Sequence, residues 1–351
     1  MNDSQNTHPA LSLFNELIGV PAPSGNEKQI AAVIRSRIQA IGFSPESDAA
    51  GNVFVRLPGA DPEAGLCILA AHIDEIGLVV TGIRPDGSLS VDRTGGLHPW
   101  KIGERPVEIL GDNSSILGVT SFGAGHGASP DKPVRWEDMR VLTGLSVEQL
   151  AAAGVRPGSC GVPLRAQCGP MLFGDPGDPM VAAWTFDDRM GVVALLRLLE
   201  AVKAENITPA QPTLIAFTTQ EEVGGIGAIG LAMREKPETF IAIDGCPIPP
   251  GSDLSLDGRP AIWSKDKLGH YDQDLFRFLL GCAKQAGAEL QATQYNSTAS
   301  DAGLVLAAGG AARGAVFGHV RENSHGYEVA RLSVFDNLLK VLVQFLKTWQ
   351  A

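Results

Sequence analysis

The stretch that decides the fold is Leu66–Glu75, which reads LCILAAHIDE. Apolar and small residues run without interruption from Leu66 to Ala71, and a histidine follows at once. A short continuous apolar run is typical of a strand that is buried on both faces of an α/β sheet. His72 stands at the end of this strand, where a buried imidazole needs polar partners. The stretch therefore predicts an α/β protein with polar chemistry at the end of a buried strand.

Acids and histidines follow the other predicted strands in the same way. Ligands of open α/β sheets bind outside the carboxyl ends of the strands, so residues at these ends converge. The segments concerned are Glu221-Glu222 after Thr213–Thr218, Asp244 after Phe240–Ile243, Arg321 and His325 after Ala315–Phe317, and Asp187-Asp188 at the start of the helix predicted over Arg189–Ala204. The sequence thus predicts a cluster of carboxylates and imidazoles at one edge of one sheet.

Strands and helices alternate outside the middle of the chain. Apolar residues with helical spacing predict helices over Glu27–Ile41, Gln273–Gly287 and Leu332–Trp349. This alternation favours a mostly parallel sheet that is covered by helices.

The character of the sequence changes between Leu78 and Gly177. Short alternating stretches such as Pro106–Leu110 and Ser115–Val119 are separated by Gly, Pro and Asp, with one helix near Val147–Ala153. We therefore predict a catalytic domain of residues 1–78 plus 178–351 and an inserted small β-rich domain of residues 79–177.

Composition excludes several classes of partner. The 351 residues include 28 Lys and Arg against 39 Asp and Glu, a net charge of −11, which argues against nucleic acid or an anionic membrane as the main partner. The 5 cysteines form no CxxC pair, so neither a disulfide framework nor a thiolate zinc site is expected. No apolar run approaches the ~18–20 residues of a membrane helix, and no signal peptide is visible. We predict a cytoplasmic protein.

The chemistry of the clustered side chains points to metal ions. Carboxylates held close together repel one another unless some are protonated or a cation neutralises them. Imidazole and carboxylate ligands without thiolates suit Zn, Co or Mn. Two histidines and at least three acids are too many for one tetrahedral ion with an open position. They suit two ions about 3.5–4 Å apart that share a bridging carboxylate. Each residue alone has an ordinary structural explanation, such as a helix N-cap for Asp187, and their joint occurrence favours the metal site.

Ordered motifs along nearly the whole chain resemble the M42 family of metallo-aminopeptidases, the group of glutamyl and tetrahedral aminopeptidases. The main motifs are Ala71–Gly77, Phe186–Gly191, Glu221–Gly224, Ala242–Asp244 and His325–Glu328. Three further segments, Pro23–Glu27, Asp48–Asn52 and Ser300–Ala302, are similar to other motifs of that family.

The resemblance implies a role for each matching residue. Asp187 would bridge two divalent ions, one held also by His72 and Asp244, the other by Glu222 and His325. Glu221 would be the general base that takes a proton from the attacking water and passes it to the leaving amine.

Asp74 would orient the imidazole of His72. Zinc is the expected metal, with cobalt or manganese as alternatives.

The resemblance also implies architecture and partners. The expected fold is a zinc-peptidase-like sheet with a PDZ-like lid over about residues 79–177 that mediates assembly. Substrates would be peptides with a free amino terminus, and the chains would form homo-oligomers: dimers, and in larger assemblies dodecamers. The chain differs from the family pattern after His325, where Gly-Tyr-Glu replaces Ser-Pro and a later Glu. The glycine-rich Ser121–Arg135 segment, which contains His126, differs too, so the role of His126 stays open.

Other functions are compatible with the same residues. A related two-metal amidohydrolase, a deacylase or a carboxypeptidase, would cleave N-acyl amino acids or carboxyl-terminal residues instead. A glycosidase would need a carboxylate pair around a sugar and no obligatory metal. A non-catalytic assembly protein would be expected to have lost Glu221 or a metal ligand, and all of these are present.

Overall fold

The computed structural model describes residues 8–124 and 133–351, so His126 lies outside the described residues. Within these ranges the α-helices are α1 Pro9–Ile18, α2 Lys28–Ile41, α3 Pro99–Ile102, α4 Val147–Ala152, α5 Phe186–Glu205, α6 Ile226–Glu235, α7 Gln273–Gln285, α8 Asp301–Ala307 and α9 Val334–Thr348. The strands of the first half are β1 Glu46–Ser47, β2 Val53–Leu57, β3 Cys67–His72, β4 Gly77–Ile83, β5 Leu89–Thr94, β6 Pro106–Leu110, β7 Ser115–Ser121, β8 Arg140–Leu142 and β9 Cys160–Pro163. Those of the second half are β10 Met171–Phe173, β11 Met180–Trp184, β12 Thr213–Thr218, β13 Thr239–Ile243, β14 Cys246–Pro247, β15 Ala261–Trp263, β16 Gln291–Thr293, β17 Arg313–Gly318, β18 Val320–Arg321 and β19 Tyr327–Arg331.

The main sheet has 8 strands in the order β1-β2-β12-β3-β13-β17-β15-β16. Its centre, β12-β3-β13-β17, is parallel throughout, as predicted. Towards the edges, β1 with β2, β2 with β12 and β17 with β15 pair antiparallel. The sheet as a whole is therefore mixed. The apolar runs predicted burial, but a short run carries no information on strand direction, so the edge strands were not distinguished.

Helices cover both faces of the parallel centre, and the strands show why. Alternate residues of β3 point to opposite faces: Leu69 and Ala71 join the core under α1, α2, α5, α7 and α9, whereas Ile68 and Ala70 join the core under α6 and α8. Because both faces are buried, all 6 residues of β3 are buried. This accounts for the uninterrupted apolar run in the sequence.

A closed six-stranded antiparallel barrel, β4-β5-β8-β7-β6-β9, lies in the chain between β3 and β11. It has a hydrophobic core of its own, centred on residues such as Val80, Val107 and Val141. The prediction of a small β unit in this part of the chain is therefore confirmed, and the helix predicted near Val147–Ala153 is α4. The PDZ-like character of this unit stays a prediction.

A separate three-stranded sheet has the order β10-β11-β19. It pairs β10 and β11, which follow the barrel in the chain, with β19, which begins two residues after His325. None of the helices in the described ranges has the length and apolarity needed to cross a lipid bilayer.

The packing of α1 yields a prediction about stability. Phe14 is fully buried, with its ring centroid 4.8 Å from that of Phe186 and 5.8 Å from that of Phe335. Phe14→Ala should lower the free energy of unfolding by about 3–5 kcal/mol because it leaves a cavity in the core. Urea denaturation followed by circular dichroism measures this. Phe173→Ala, at a ring that is 44% exposed, is the control and should cost about 0.5 kcal/mol or less. Equal losses in both variants would contradict the packing described.

Candidate metal centre

The carboxyl ends of the parallel strands bring the predicted residues together. His72 is the last residue of β3, and Asp244 follows directly after β13. Glu221 and Glu222 follow β12 after Gln220, which has a positive φ of 58°. Asp187 lies at the start of α5, where its backbone and that of the next residue are not yet helical.

Asp187 is the centre of the arrangement. Its Oδ1 lies 3.1 Å from Nε2 of His72, and its Oδ2 lies 3.3 Å from Nε2 of His325. The guanidinium of Arg321 donates to the same Oδ2 at 2.5 Å. One carboxylate therefore lies between the two histidines, and it forms an ion pair with the buried guanidinium of Arg321. His325 reaches this place from a left-handed backbone conformation with φ 59°.

Two overlapping groups of donor atoms lie around Asp187. One atom each from His72, Asp187 and Glu222 lie within 4.8 Å of one another, and so do atoms from Asp187, Asp188 and Asp244. His325 Nε2 lies 3.7 Å from Glu222 Oε1, beside the first group. All five side chains that the sequence suggested as metal ligands thus border one small space. Asp188 was noted in the sequence but not proposed as a ligand.

Asp74 lies behind His72. Its Oδ1 is 3.3 Å from Nδ1 of the imidazole, and its main-chain oxygen is 3.2 Å from that nitrogen. The same carboxylate accepts the backbone N–H groups of Glu221 at 3.0 Å and Glu222 at 3.2 Å, and the hydroxyl of Ser24 at 2.6 Å. Asp74 therefore connects the imidazole to the loop after β12. This is the place that an orienting role requires, although the role itself stays a prediction.

Glu221 belongs to neither group of donor atoms. Its Oε2 is 4.0 Å from Nε2 of His72, and the side chain borders a cavity of about 590 Å³. Asp187, Glu222, Asp244 and His325 line the same cavity. The cavity is also lined by Ile248, Pro249, Trp263, Lys267 and Tyr295. The four acids that line the cavity, Asp187, Glu221, Glu222 and Asp244, are called its acidic floor below. The cavity gives a small molecule or the end of a peptide access to this acidic floor.

The electrostatics of this floor show an excess of negative charge. Burial and the neighbouring charge of Asp187 raise the pKa of Glu222 to about 7. Burial, together with Asp244 and other acids, raises the pKa of Glu221 well above its usual range. Burial alone would raise the pKa of Asp187, but Arg321 and the two histidines outweigh it and hold that pKa well below its usual range. The cationic side chains nearby are too few to neutralise all of these carboxylates.

The histidines respond in the opposite direction. Burial alone would lower the pKa of His325, but the charges of Glu222 and Asp187 outweigh it and raise that pKa to about 10. The pKa of His72 rises well above its usual value because Asp187 and Asp74 overcome the effect of burial. Protons on imidazole thus balance part of the carboxylate charge. A divalent cation would displace these protons and take over that task.

The residues present fit divalent cations. Oε1 of Glu222 and Oδ2 of Asp188 are buried and have no hydrogen-bond partner within the described part of the chain. Buried polar atoms are rarely left unpaired. A set of imidazole nitrogens and carboxylate oxygens, several of them unpaired or strongly repelled, matches the ligand chemistry of Zn²⁺ and similar ions.

Sequence reasoning passed over other buried polar residues beside the centre. Glu328 accepts the backbone N–H of Asp187 at 3.0 Å and that of His325 at 3.1 Å, and lies 3.3 Å from Nε of Arg321. Asp301 accepts the hydroxyl of Thr218 at 2.7 Å. Both acids lie in the family-like motifs His325–Glu328 and Ser300–Ala302, so membership of a motif is the signal that could have identified them.

Comparisons with known proteins identify the family of the chain. A family model described as M42 glutamyl aminopeptidase matches residues 51–341. A glutamyl aminopeptidase of Lactococcus lactis subsp. cremoris (strain MG1363) is 25% identical over 333 residues, which cover 91% of this chain and 91% of that protein.

Solved structures are similar over almost the full length. A TET aminopeptidase from the marine sediment archaeon Thaumarchaeota archaeon SCGC AB-539-E09 has a TM-score of 0.88 and 22% identity, and covers 96% of each chain. The TET1 peptidase of Pyrococcus horikoshii has a TM-score of 0.85 and 25% identity, and covers 97% of this chain and 100% of that one. Because the family model spans well over half of the sequence, this chain belongs to the M42 family of glutamyl aminopeptidases.

Proposed function

We propose that this chain is a two-metal aminopeptidase that hydrolyses the first residue from peptides. The observation that carries the proposal is the position of Asp187, which contributes to both groups of donor atoms and lies between His72 and His325. A carboxylate so placed is suited to bridge two cations. Family membership supports the same reaction class.

In this proposal His72, Asp187 and Asp244 hold one ion, and Asp187, Glu222 and His325 hold the other. In the structure Glu222 also lies near His72, and Asp188 lies near Asp244, so the two sets overlap more than this division requires. Zinc suits these ligands best, with cobalt or manganese as alternatives. When bound, such ions polarise the substrate carbonyl and lower the pKa of water towards neutrality.

Glu221 is the proposed general base. It lies beside the donor groups, borders the cavity, and has a carboxylate 4.0 Å from the imidazole of His72. Burial, followed by the neighbouring acids, raises its pKa, which makes the carboxylate a better proton acceptor. It would take the proton of the attacking water and deliver it to the nitrogen of the leaving amine.

The acidic floor favours a free amino terminus over an acylated one. Glu221 lines the cavity and is assigned to no metal ion, so its carboxylate would attract a substrate ammonium group. An N-acyl amino acid lacks this positive charge and brings a carboxylate instead. This argues for an aminopeptidase over the deacylase or carboxypeptidase considered from the sequence.

We further propose that residues 79–177 form the inserted domain and that it takes part in homo-oligomer formation. The related TET1 peptidase of Pyrococcus horikoshii can assemble into a tetrahedron or a large octahedral shell. On the barrel of this chain, Leu117, Val119 and Leu142 are large apolar residues that are exposed, and Val119 pairs directly with Leu142. Such a strip is typical of an association surface. A cytoplasmic location stays a prediction.

The role of Glu221 can be tested by Glu221→Gln. We expect kcat for the best substrate of a panel of aminoacyl-p-nitroanilides to fall about 10²–10⁴-fold, because the amide does not accept the proton, while two metal ions per chain are retained. Metal content is measured by mass spectrometry of the purified protein. Glu238→Gln, at a partly exposed glutamate outside the cavity, is the control and should keep full activity. Full activity in Glu221→Gln would remove Glu221 as the base.

The bridging role of Asp187 predicts loss of both ions together. Asp187→Ala should leave the purified protein without stoichiometric zinc, whereas Asp244→Ala should retain about one ion per chain because the second set of ligands is intact. Circular dichroism verifies that both variants are folded. Two ions retained in Asp187→Ala would contradict the shared carboxylate.

The raised pKa of Glu222 predicts how stability depends on pH. A carboxyl group whose pKa is higher in the folded chain stabilises the fold at low pH, and this contribution is lost as pH rises through about 7. In chelator-treated protein, the free energy of unfolding of Glu222→Gln should therefore gain about 2 kcal/mol relative to the parent between pH 5 and pH 7.5. Urea denaturation at each pH measures the difference.

Saturating zinc provides the contrast, because cation binding should stabilise the parent and remove this relative gain. A difference between the two proteins that is independent of pH in chelator would contradict the assignment.

A further inference from the structure

A buried ion cluster lies outside the donor groups. It consists of Glu75, Arg165 and Arg189, whose side chains are 0%, 11% and 0% exposed. Neither the metal assignment nor the proposed base uses any of these residues. Two guanidinium groups share one carboxylate in a region that solvent hardly reaches. Such an arrangement is costly to form unless its geometry is well defined.

Each oxygen of Glu75 has defined partners. Oε2 accepts from both terminal nitrogens of Arg165, at 3.2 Å each, so that one carboxylate oxygen receives two charge-assisted hydrogen bonds. Oε1 accepts the backbone N–H of Ala22 at 2.9 Å and lies 3.5 Å from Nη2 of Arg189. Arg189 also donates to the main-chain oxygen of Ile73.

The cluster connects four segments that are far apart in the sequence. Glu75 stands three residues after His72, and Arg189 stands two residues after Asp187. Ala22 belongs to the connection between α1 and α2. Arg165 belongs to the short helical turn that follows β9, the last strand of the barrel.

The segment that carries Arg165 is hydrogen-bonded to the barrel. The residue before Arg165, Leu164, donates its backbone N–H to Pro106 of β6 at 3.0 Å. Arg165 itself also donates to the main-chain oxygen of Ile18, at the end of α1, at 3.3 Å. A shift of the barrel relative to the main sheet would therefore move the guanidinium that holds Glu75.

We propose that Glu75 is a positioning residue that, through Arg165 and Arg189, links the placement of the barrel to the placement of His72 and Asp187. The inference rests on the proposed function, since it concerns the same metal centre. It adds that metal binding depends on the position of the barrel. A partner protein, or a second copy of this chain, that moves the barrel would therefore change the affinity of the centre for metal ions. Groups that orient metal ligands commonly change metal affinity about 10–100-fold when removed.

The test uses Co²⁺ binding to the full-length, chelator-treated protein. Arg165→Met should weaken Co²⁺ binding about tenfold or more and change its visible absorption spectrum, because the ligands are less well oriented. Arg165→Lys, which keeps the charge, should restore part of the affinity. Glu75→Gln should act in the same direction as Arg165→Met, and the double variant should be no weaker than the worse single variant, because both remove one link.

Arg156→Met is the matched control. Arg156 is also a barrel arginine and pairs with Asp112 at 2.7 Å, but both side chains are more than half exposed. It should leave Co²⁺ affinity and spectrum unchanged. If Glu75→Gln does not fold, the Arg165 pair of variants decides the question, since Arg165 is the least buried member of the cluster. Parental Co²⁺ affinity and spectrum in Arg165→Met would overturn this inference alone, whereas a parent protein that binds no Co²⁺ would overturn the proposed function with it.

Discussion

The centre depends on the interactions of one group, the carboxylate of Asp187. It lies between His72 and His325, receives the guanidinium of Arg321, and contributes to both groups of donor atoms. Its position is fixed from behind, because its backbone N–H donates to Glu328. Carboxylates around it are repelled by one another and show raised pKa values, whereas its own pKa is held low. Asp187 is thus the acid of this centre whose charged form Arg321 and the two histidines stabilise.

The sheet supplies this centre because its four central strands run parallel. β3, β12 and β13 end at the same edge, so His72, the Glu221-Glu222 pair and Asp244 converge although they are distant in sequence. Asp74 then unites two of these strand ends, since it contacts the imidazole of His72 and holds both backbone N–H groups of the glutamate pair. Packing of helices on both faces fixes the strands, and the strands fix the ligands.

Much of this was predictable from sequence because central strands and their polar ends leave a clear pattern. The strand Thr213–Thr218 has the predicted bounds, and the five side chains suggested as ligands lie close together, although their role as ligands stays a prediction. The antiparallel edges were missed because an apolar run specifies burial and not direction. The sequence placed Arg321 at this edge of the sheet, but its ion pair with Asp187 was not predicted because pairing between distant segments depends on tertiary structure. Likewise, Glu75 and Arg165 are 90 residues apart, and nothing local predicts their contact.

The barrel also affects how the chain is able to fold. His72 precedes the barrel and Asp187 follows it, so the whole insertion must be accommodated before both can meet. Its first and last strands, β4 and β9, are neighbours, with Leu78 opposite Gly161. Once the barrel is closed, the strands by which the chain enters and leaves it lie side by side. The entropic cost of closing a long loop grows with its length, so a closed barrel separates the residues before it from those after it by only a short effective loop.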